Sequence, residues 1–63
     1  MALNSTEQRF VVFLRQLGDA KRPEIESLLQ LSYGTTIQLI KTLMMKNVLE
    51  KVGNGPKTRY RLK

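Results

Sequence analysis

The fold is decided by residues 48–63, which read VLEKVGNGPKTRYRLK. Residues 48–52 predict a β-strand, and residues 53–57 contain two glycines, an asparagine and a proline, which is typical of a tight turn. Residues 58–63 alternate polar and apolar side chains, as a strand does when only one of its faces is buried. The stretch therefore predicts a two-stranded hairpin.

The second strand of this hairpin separates its side chains by charge. Tyr60 and Leu62 fall on one face, where we expect them to pack on a core, and the opposite face carries Arg59, Arg61 and Lys63. A predicted helix ends directly upstream of the hairpin. Because a helix followed by a basic hairpin can bring cations to two stretches of nucleic-acid backbone at once, the pattern indicates nucleic-acid binding.

Size and composition bound the remaining possibilities. A chain of 63 residues has room for one domain, and a domain of this length buries only about 60% of its unfolded surface. The sequence contains no Cys and no His, so we predict no disulfide, no metal and no cofactor. We expect the missing stability to come from pairing as a homodimer or from attachment to a larger protein.

The sequence contains no targeting or membrane signal that we can identify. No apolar run approaches the roughly 18 residues needed to cross a bilayer. The first five residues, MALNS, lack the basic and apolar regions of a secretory signal. We therefore expect a cytoplasmic protein that does not bind membranes.

The positive charge is concentrated in the last third of the chain. Eleven Lys and Arg against five Asp and Glu give a net charge of +6. Residues 1–40 contain four side chains of each sign, whereas residues 41–63 contain only Glu50 against seven cations: Lys41, Lys46, Lys51, Lys57, Arg59, Arg61 and Lys63. This segregation predicts that a polyanion docks on the last third. The alternative is a solvated basic surface that only confers solubility.

Two helices are predicted in the first half. Residues 5–8, STEQ, match a capping box, and apolar side chains then recur at helical spacing, which predicts a helix over about residues 6–17 with Gly18 as a left-handed stop. After a linker at residues 19–22, Pro23 suits the first turn of a second helix over about residues 23–30.

A third helix is predicted over about residues 33–46. Ser32 is a good N-cap, and Asn47 favours the left-handed conformation in which the chain leaves the helix. Within this helix, Ile40 and Leu43 are expected in the core, with Leu39 and Met44 at its margin.

The segment from residue 23 to residue 51 contains PEI, LLQLSYGT, LIK and KNVLEK, and residues 53–62 read GNGPKTRYRL. In order and spacing, these motifs resemble the winged helix-turn-helix family over nearly the whole chain. The resemblance implies a mainly α fold with a small β-hairpin (α+β), in which a single domain, 1–63, has three helices and a wing hairpin at about 48–63. Asn47 departs from the family, which usually has Gly there. The chain also has no Trp, so it lacks the residue with which one subfamily reads left-handed duplexes.

The resemblance also implies how such a domain meets double-stranded DNA. Helix 33–46 would enter the major groove, while the wing at 53–59 lies on the backbone. The residues that it places at the DNA are Tyr33, Gly34, Thr35, Ile37, Gln38, Lys41, Thr42, Lys57, Arg59 and Arg61. Gln38 has the end group for a bidentate contact to adenine, Lys41 reaches guanine or phosphate, and the two threonines bond phosphate oxygens.

Several of these residues have a second interpretation. Gln38 is also compatible with a solvated helix surface, and Tyr33 with packing against the end of the second helix. Ile37 is unusual at a DNA-facing position, and three roles stay open for it: contact with a thymine methyl, burial, or a protein interface.

We expect no enzymatic activity, because the chain has no His or Cys, and Glu24 and Glu26 point to different sides of a helix. No small-molecule substrate is evident. The main rival is a protein-interaction or oligomerisation module in which Ile37, Leu39 and Met45 form an exposed apolar patch. A basic hairpin on an anionic membrane is a weaker third hypothesis. The charge segregation favours sequence-specific DNA binding in transcription regulation or in targeting a larger protein to DNA.

Overall fold

A computed structural model describes residues 3–63, which form three α-helices, three β-strands and one turn of 3₁₀-helix. The elements are α1 (Ser5–Leu17), β1 (Asp19–Ala20), α2 (Arg22–Leu29), α3 (Tyr33–Met45), β2 (Leu49–Val52), the 3₁₀ turn (Gly55–Lys57) and β3 (Arg59–Leu62). The strands form an antiparallel sheet in the order β1-β3-β2, so β3 is the central strand. The predicted α+β class and three-helix winged architecture are confirmed.

Helix α1 begins one residue earlier than predicted, because its N-cap is Asn4 and not Ser5. Asn4 Oδ1 accepts a hydrogen bond from the Glu7 N–H at 2.8 Å, and Glu7 Oε1 accepts one from the Asn4 N–H at 2.9 Å. The prediction of a capping box at residues 5–8 was therefore wrong by one residue. Both candidate caps are good ones. With Asn4 as the cap, Glu7 is the third residue of the capping box, and its carboxylate also binds Lys46 at the end of α3.

Helix α2 also begins and ends one residue earlier than the predicted 23–30. Its first turn is closed by the Lys21 N–H, which donates to Glu24 Oε1 at 3.0 Å. Gln30, predicted as helical, instead has a φ of 55° and forms the left-handed exit of the helix. Because the left-handed residue at a helix exit is usually glycine, the sequence does not indicate that Gln30 ends α2. The predicted end was therefore one residue too late.

The other helix ends largely follow the predictions. Ser32 caps α3, because its Oγ accepts a hydrogen bond from the Thr35 N–H at 3.3 Å. Gly18 and Asn47 both have a positive φ, 88° and 65°, as expected for the exits of α1 and α3. Helix α3 ends at Met45, one residue before the predicted end. No helix within residues 3–63 is long and apolar enough to cross a bilayer.

Strand β1 was not predicted, since residues 19–22 were interpreted as a linker. Asp19 and Ala20 pair with Arg61 and Tyr60 of β3, and Ala20 is completely buried. A strand of two residues is too short to show alternation, so only its partner strand reveals it. The consequence is that the wing is joined to the segment between α1 and α2.

The core lies between the helices and one face of the sheet. Its buried apolar cluster consists of Phe10, Leu14, Ala20, Ile25, Leu29, Leu39, Ile40, Leu43 and Leu49. The predictions for Ile40 and Leu43 are confirmed. Leu39 was placed at the margin and in an exposed patch, but only 8% of it is exposed, so both placements were wrong. Met44 is 39% exposed, because it lies on a flank of α3 between the buried face and the face turned to solvent.

Candidate nucleic-acid interface

Helix α3 turns one face to the core and the opposite face to solvent. The buried side chains are Thr36, Leu39, Ile40 and Leu43. On the opposite face, at helical spacing, lie four exposed residues that we call the α3 ridge: Gly34, Gln38, Lys41 and Met45. The ridge therefore contains three of the residues that the sequence placed at DNA, together with Met45, which is 87% exposed.

The remaining candidate residues of α3 lie on its two flanks. Tyr33 and Ile37 line the wing cleft, a cleft of about 550 Å³ between α3, the start of α2 and the hairpin. Thr35 and Thr42 line a groove of about 430 Å³ between α3 and the first residues of α1. Thr35 also accepts a hydrogen bond from Ser32 Oγ at 2.9 Å. A surface that met the ridge would have one of these flanks on each side.

Tyr33 is accessible at the start of α3 and lies beside Arg22 of α2. Its side chain is 61% exposed. The guanidinium carbon of Arg22 lies 4.6 Å from the centre of the Tyr33 ring, within cation–π distance. Arg22 is itself ion-paired with Glu26. These contacts hold the ring beside the wing cleft.

The hairpin turn depends on Gly53. This residue has a φ of 85°, and a Cβ placed on it would lie 2.6 Å from the carbonyl oxygen of Lys57. Beyond it, the Lys57 N–H donates to the Asn54 carbonyl and the Thr58 N–H donates to the Gly55 carbonyl, each at 3.1 Å. The closed turn presents Lys57 as an exposed side chain at the end of the hairpin.

The outer face of the sheet, opposite the face that packs on the core, carries two of the predicted wing contacts. Arg59 Nε donates to Asp19 Oδ1 at 2.6 Å, and its Nη2 lies 3.4 Å from Glu24 Oε1. Arg61 forms an ion pair with Glu50, which stands directly opposite it on β2. Both arginines are therefore already engaged by carboxylates.

The inner face of the sheet carries a cation that the sequence did not single out. Tyr60 packs against the core as predicted, and Lys51 stands directly opposite it on β2. Since Leu49, two residues before Lys51, is buried, Lys51 shares the inner face and lines the wing cleft. Lys21, which follows β1, lines the same cleft. The alternation that starts at Leu49 could have predicted Lys51 on the inner face. No sequence pattern predicts the position of Lys21, because it depends on strand β1, which the sequence did not reveal.

Charge on the molecule is distributed unevenly. All five Asp and Glu side chains form ion pairs, and their partners are Arg22, Lys46, Arg59 and Arg61. Of the seven cations that make no ion pair within residues 3–63, Arg9 and Arg15 lie on α1 and Lys63 donates to Asn47. The other four lie on the ridge, in the wing cleft or at the turn: Lys21, Lys41, Lys51 and Lys57.

A buried ion pair fixes α3 against α1. Glu7 is 1% exposed, and its two carboxylate oxygens accept hydrogen bonds from Lys46 Nζ at 3.0 and 3.1 Å. The hydrogen bond from the Asn4 N–H, together with those from Lys46, holds the pKa of Glu7 below its usual value, against the opposing effect of burial. The pair sets the position of the C-terminal end of α3 and hence the direction of the ridge.

Three helices within residues 3–63, an antiparallel sheet in the order β1-β3-β2 and an exposed hairpin beside the third helix define a winged helix-turn-helix domain. The chain belongs to the family of C-terminal domains of DIP2311-like transcriptional regulators, whose model matches residues 3–63.

The fold is similar to that of the DIP2311 protein from Corynebacterium diphtheriae, known from a crystal structure, with a TM-score of 0.82 and 24% sequence identity. The match covers 92% of this chain and 10% of that one, so the chain corresponds to a small part of that protein. No curated protein matches the sequence.

Proposed function

We propose that this domain binds duplex DNA sequence-specifically and targets a transcriptional regulator to its site. The observation that carries the proposal is the distribution of charge around α3. The Asp and Glu side chains are neutralised in ion pairs. Four lysines that make no ion pair within residues 3–63 surround the ridge and the wing. Such a surface attracts a polyanion, because each phosphate that it neutralises releases counterions.

The shape of the surface supports the same proposal. A helix with its side chains is about 10–12 Å across and fits a major groove about 12 Å wide. With the α3 ridge facing the bases, Gln38 would bind adenine and Lys41 guanine or a phosphate. Thr35 and Thr42 would bond phosphates along one flank, and Lys57 would reach the backbone from the turn.

Removing the charges of Lys41 and Lys57 together is expected to reduce DNA affinity and its dependence on salt. Each lost phosphate contact flattens the slope of log affinity against log salt by about 0.9. With both lysines at phosphates, the loss of affinity between 50 and 200 mM salt should be about twelvefold smaller for Lys41→Gln/Lys57→Gln than for the wild type. Fluorescence anisotropy with a labelled duplex measures both slopes.

A matched control removes the same charge from another part of the surface. Arg9→Gln/Arg15→Gln, on the exposed side of α1, should leave the slope at its wild-type value. Gln38→Ala should weaken binding to the preferred sequence more than binding to random duplex, because an amide reads bases and carries no charge. Wild-type protein that shows no salt-sensitive association with duplex DNA would rule out the proposed function.

Gly34 provides a second test, because the fold does not require glycine there. Its φ is not positive, and a Cβ would meet no atom within 4 Å. Gly34→Ala should therefore raise the free energy of unfolding by up to about 0.5 kcal/mol. If the first turn of α3 lies against DNA, the added methyl should weaken binding by about 1 kcal/mol, roughly fivefold. Thermal unfolding and anisotropy together measure the two opposite effects, and tighter binding by the variant contradicts the docking geometry.

One domain of this size contacts DNA over about 600–1,000 Å², which limits its selectivity. We propose that two copies bind half-sites about one helical turn apart, or that further parts of a larger regulator supply additional contacts. Sedimentation of the protein, free and on a palindromic duplex, distinguishes a pair from a monomer.

The rival interaction module is less well supported. Its predicted apolar patch needs Ile37, Leu39 and Met45 on one surface, but Leu39 is in the core and Ile37 is half-buried in the wing cleft. Met45 is the one fully exposed member of the three. An apolar partner therefore has little surface to bind at the predicted place, whereas a polyanion has four lysines.

A further inference from the structure

Lys21 and Lys51 line the wing cleft, and the proposed function has not yet given either of them a contact. Lys51 stands opposite Tyr60 on one side of β3, and Ala20, directly before Lys21, stands opposite Tyr60 on the other side. Lys21 and Lys51 therefore flank the same tyrosine of the central strand. Both are exposed, both line the cleft, and neither makes an ion pair within residues 3–63.

The arginines of the same sheet are in a different situation. Arg59 is held by Asp19 and Glu24, and Arg61 by Glu50. A phosphate at either arginine would share the guanidinium with a carboxylate, and the negative charge of that carboxylate would oppose its binding. The two cleft lysines face no such competition, because the residues that line the cleft include no Asp or Glu in the part of the chain that the structure describes.

The cleft also offers neutral groups suited to a sugar–phosphate chain. The Tyr33 ring is fixed at its edge by Arg22, and the Thr58 side chain lines it from the wing. Hydroxyl groups of Thr and Tyr are regular phosphate contacts in protein–DNA complexes. The cleft has a volume of about 550 Å³ and lies between the first residues of α3 and the wing. It is next to the ridge that would enter the major groove of DNA.

We propose that the wing cleft seats one strand of the DNA backbone, with Lys21 and Lys51 as its phosphate contacts in place of Arg59 and Arg61. This inference rests on the proposed function and refines it. It moves the wing's phosphate contacts from the outer to the inner face of the sheet, so that the backbone passes between the wing and α3.

The test compares three variants by anisotropy at 50 and 200 mM salt, with the same labelled duplex. Lys21→Gln/Lys51→Gln removes the two cleft charges, Arg59→Gln removes an outer-face charge, and Arg9→Gln/Arg15→Gln is the control with the same net charge as the first. The cleft variant should lower the salt slope by about two and the control should not change it. Each single cleft substitution should lower the slope by about one. The single variants show whether the effect of the double variant comes from lost charge or from a disturbed fold.

Two results overturn the inference while leaving the proposed function intact. One is a wild-type slope in the cleft variant when Lys41→Gln/Lys57→Gln still flattens it. The other is an Arg59→Gln variant whose slope falls at least as far as that of each single cleft variant, Lys21→Gln and Lys51→Gln. A third result also overturns it: free adenosine monophosphate that binds through Lys21 and Lys51 more tightly than the duplex does would assign the cleft to a small ligand. Absence of any binding by the wild type, in contrast, removes the proposed function itself.

Discussion

Replacing Glu7 by alanine is expected to lower the free energy of unfolding by about 3 kcal/mol. The substitution removes the acceptor of the Asn4 N–H and of the Lys46 ammonium at a site where Glu7 is almost completely buried. Breaking a buried ion pair costs about 3–5 kcal/mol. The lower figure applies because the Lys46 side chain is 23% exposed and can turn to water. Chemical denaturation followed by circular dichroism measures the change.

The matched control is Glu50→Ala, which breaks the exposed pair with Arg61. The Arg61 side chain is more than half exposed, so this loss should stay below about 1 kcal/mol. Equal losses for the two variants would show that the Glu7–Lys46 pair contributes no more than a surface contact.

The same pair predicts a pH dependence. The pKa of Glu7 in the folded state lies below its ordinary value of 4.5, so its contribution to stability is complete above pH 4.5. That contribution is lost as the pH falls from 4.5 through the lower pKa of the folded state. Glu7→Gln keeps an acceptor oxygen but cannot ionise. Its unfolding free energy should therefore fall less steeply below pH 4.5 than that of the wild type, in parallel denaturation series.

The second large effect is expected for Gly53→Ala. A left-handed φ costs a residue with a Cβ about 1–2 kcal/mol, and here the new methyl would also lie 2.6 Å from the Lys57 carbonyl oxygen. Because that oxygen belongs to the backbone, the turn itself has to move. We expect a loss of more than 2 kcal/mol in stability or a rearranged turn, together with weaker DNA binding. Thermal unfolding and chemical shifts of residues 53–58 measure both.

Gly55→Ala separates the conformational cost from the clash. Gly55 also has a positive φ, 54°, but a Cβ there meets no atom within 4 Å. Its substitution should cost only about 1 kcal/mol and leave the path of the turn unchanged. If the two alanine variants behave alike, the close approach to the Lys57 carbonyl is not what makes Gly53 necessary.

Most of the fold follows from patterns within single elements. Helical spacing placed the three helices to within one residue at each end, and alternation in residues 58–63 placed Tyr60 on the core. The errors have a different origin. Asn4 and Ser5 are both good caps, and the Glu7 carboxylate that completes the box with Asn4 also binds Lys46, which lies 39 positions away. Strand β1 is likewise defined only by its pairing with β3.

The candidate site divides in the same way. Helical periodicity alone brings Gly34, Gln38 and Lys41 onto one ridge. Periodicity cannot show whether a wing cation is ion-paired. Arg59, for example, is held by carboxylates on β1 and α2, which lie 40 and 35 positions earlier in the chain. Counting charges identifies where a polyanion is attracted, but only the folded sheet shows which of those charges are available to it.

The central position of β3 has a kinetic and an entropic consequence. Strand β3 is hydrogen-bonded to β1 on one side and to β2 on the other. In the hairpin, only the short turn extends beyond the sheet. The proposed DNA-binding surface is thus preorganised, and little conformational freedom remains to be lost when a ligand arrives. We expect the rate of association to be set by the electrostatic encounter, since no slow folding of the hairpin has to follow it.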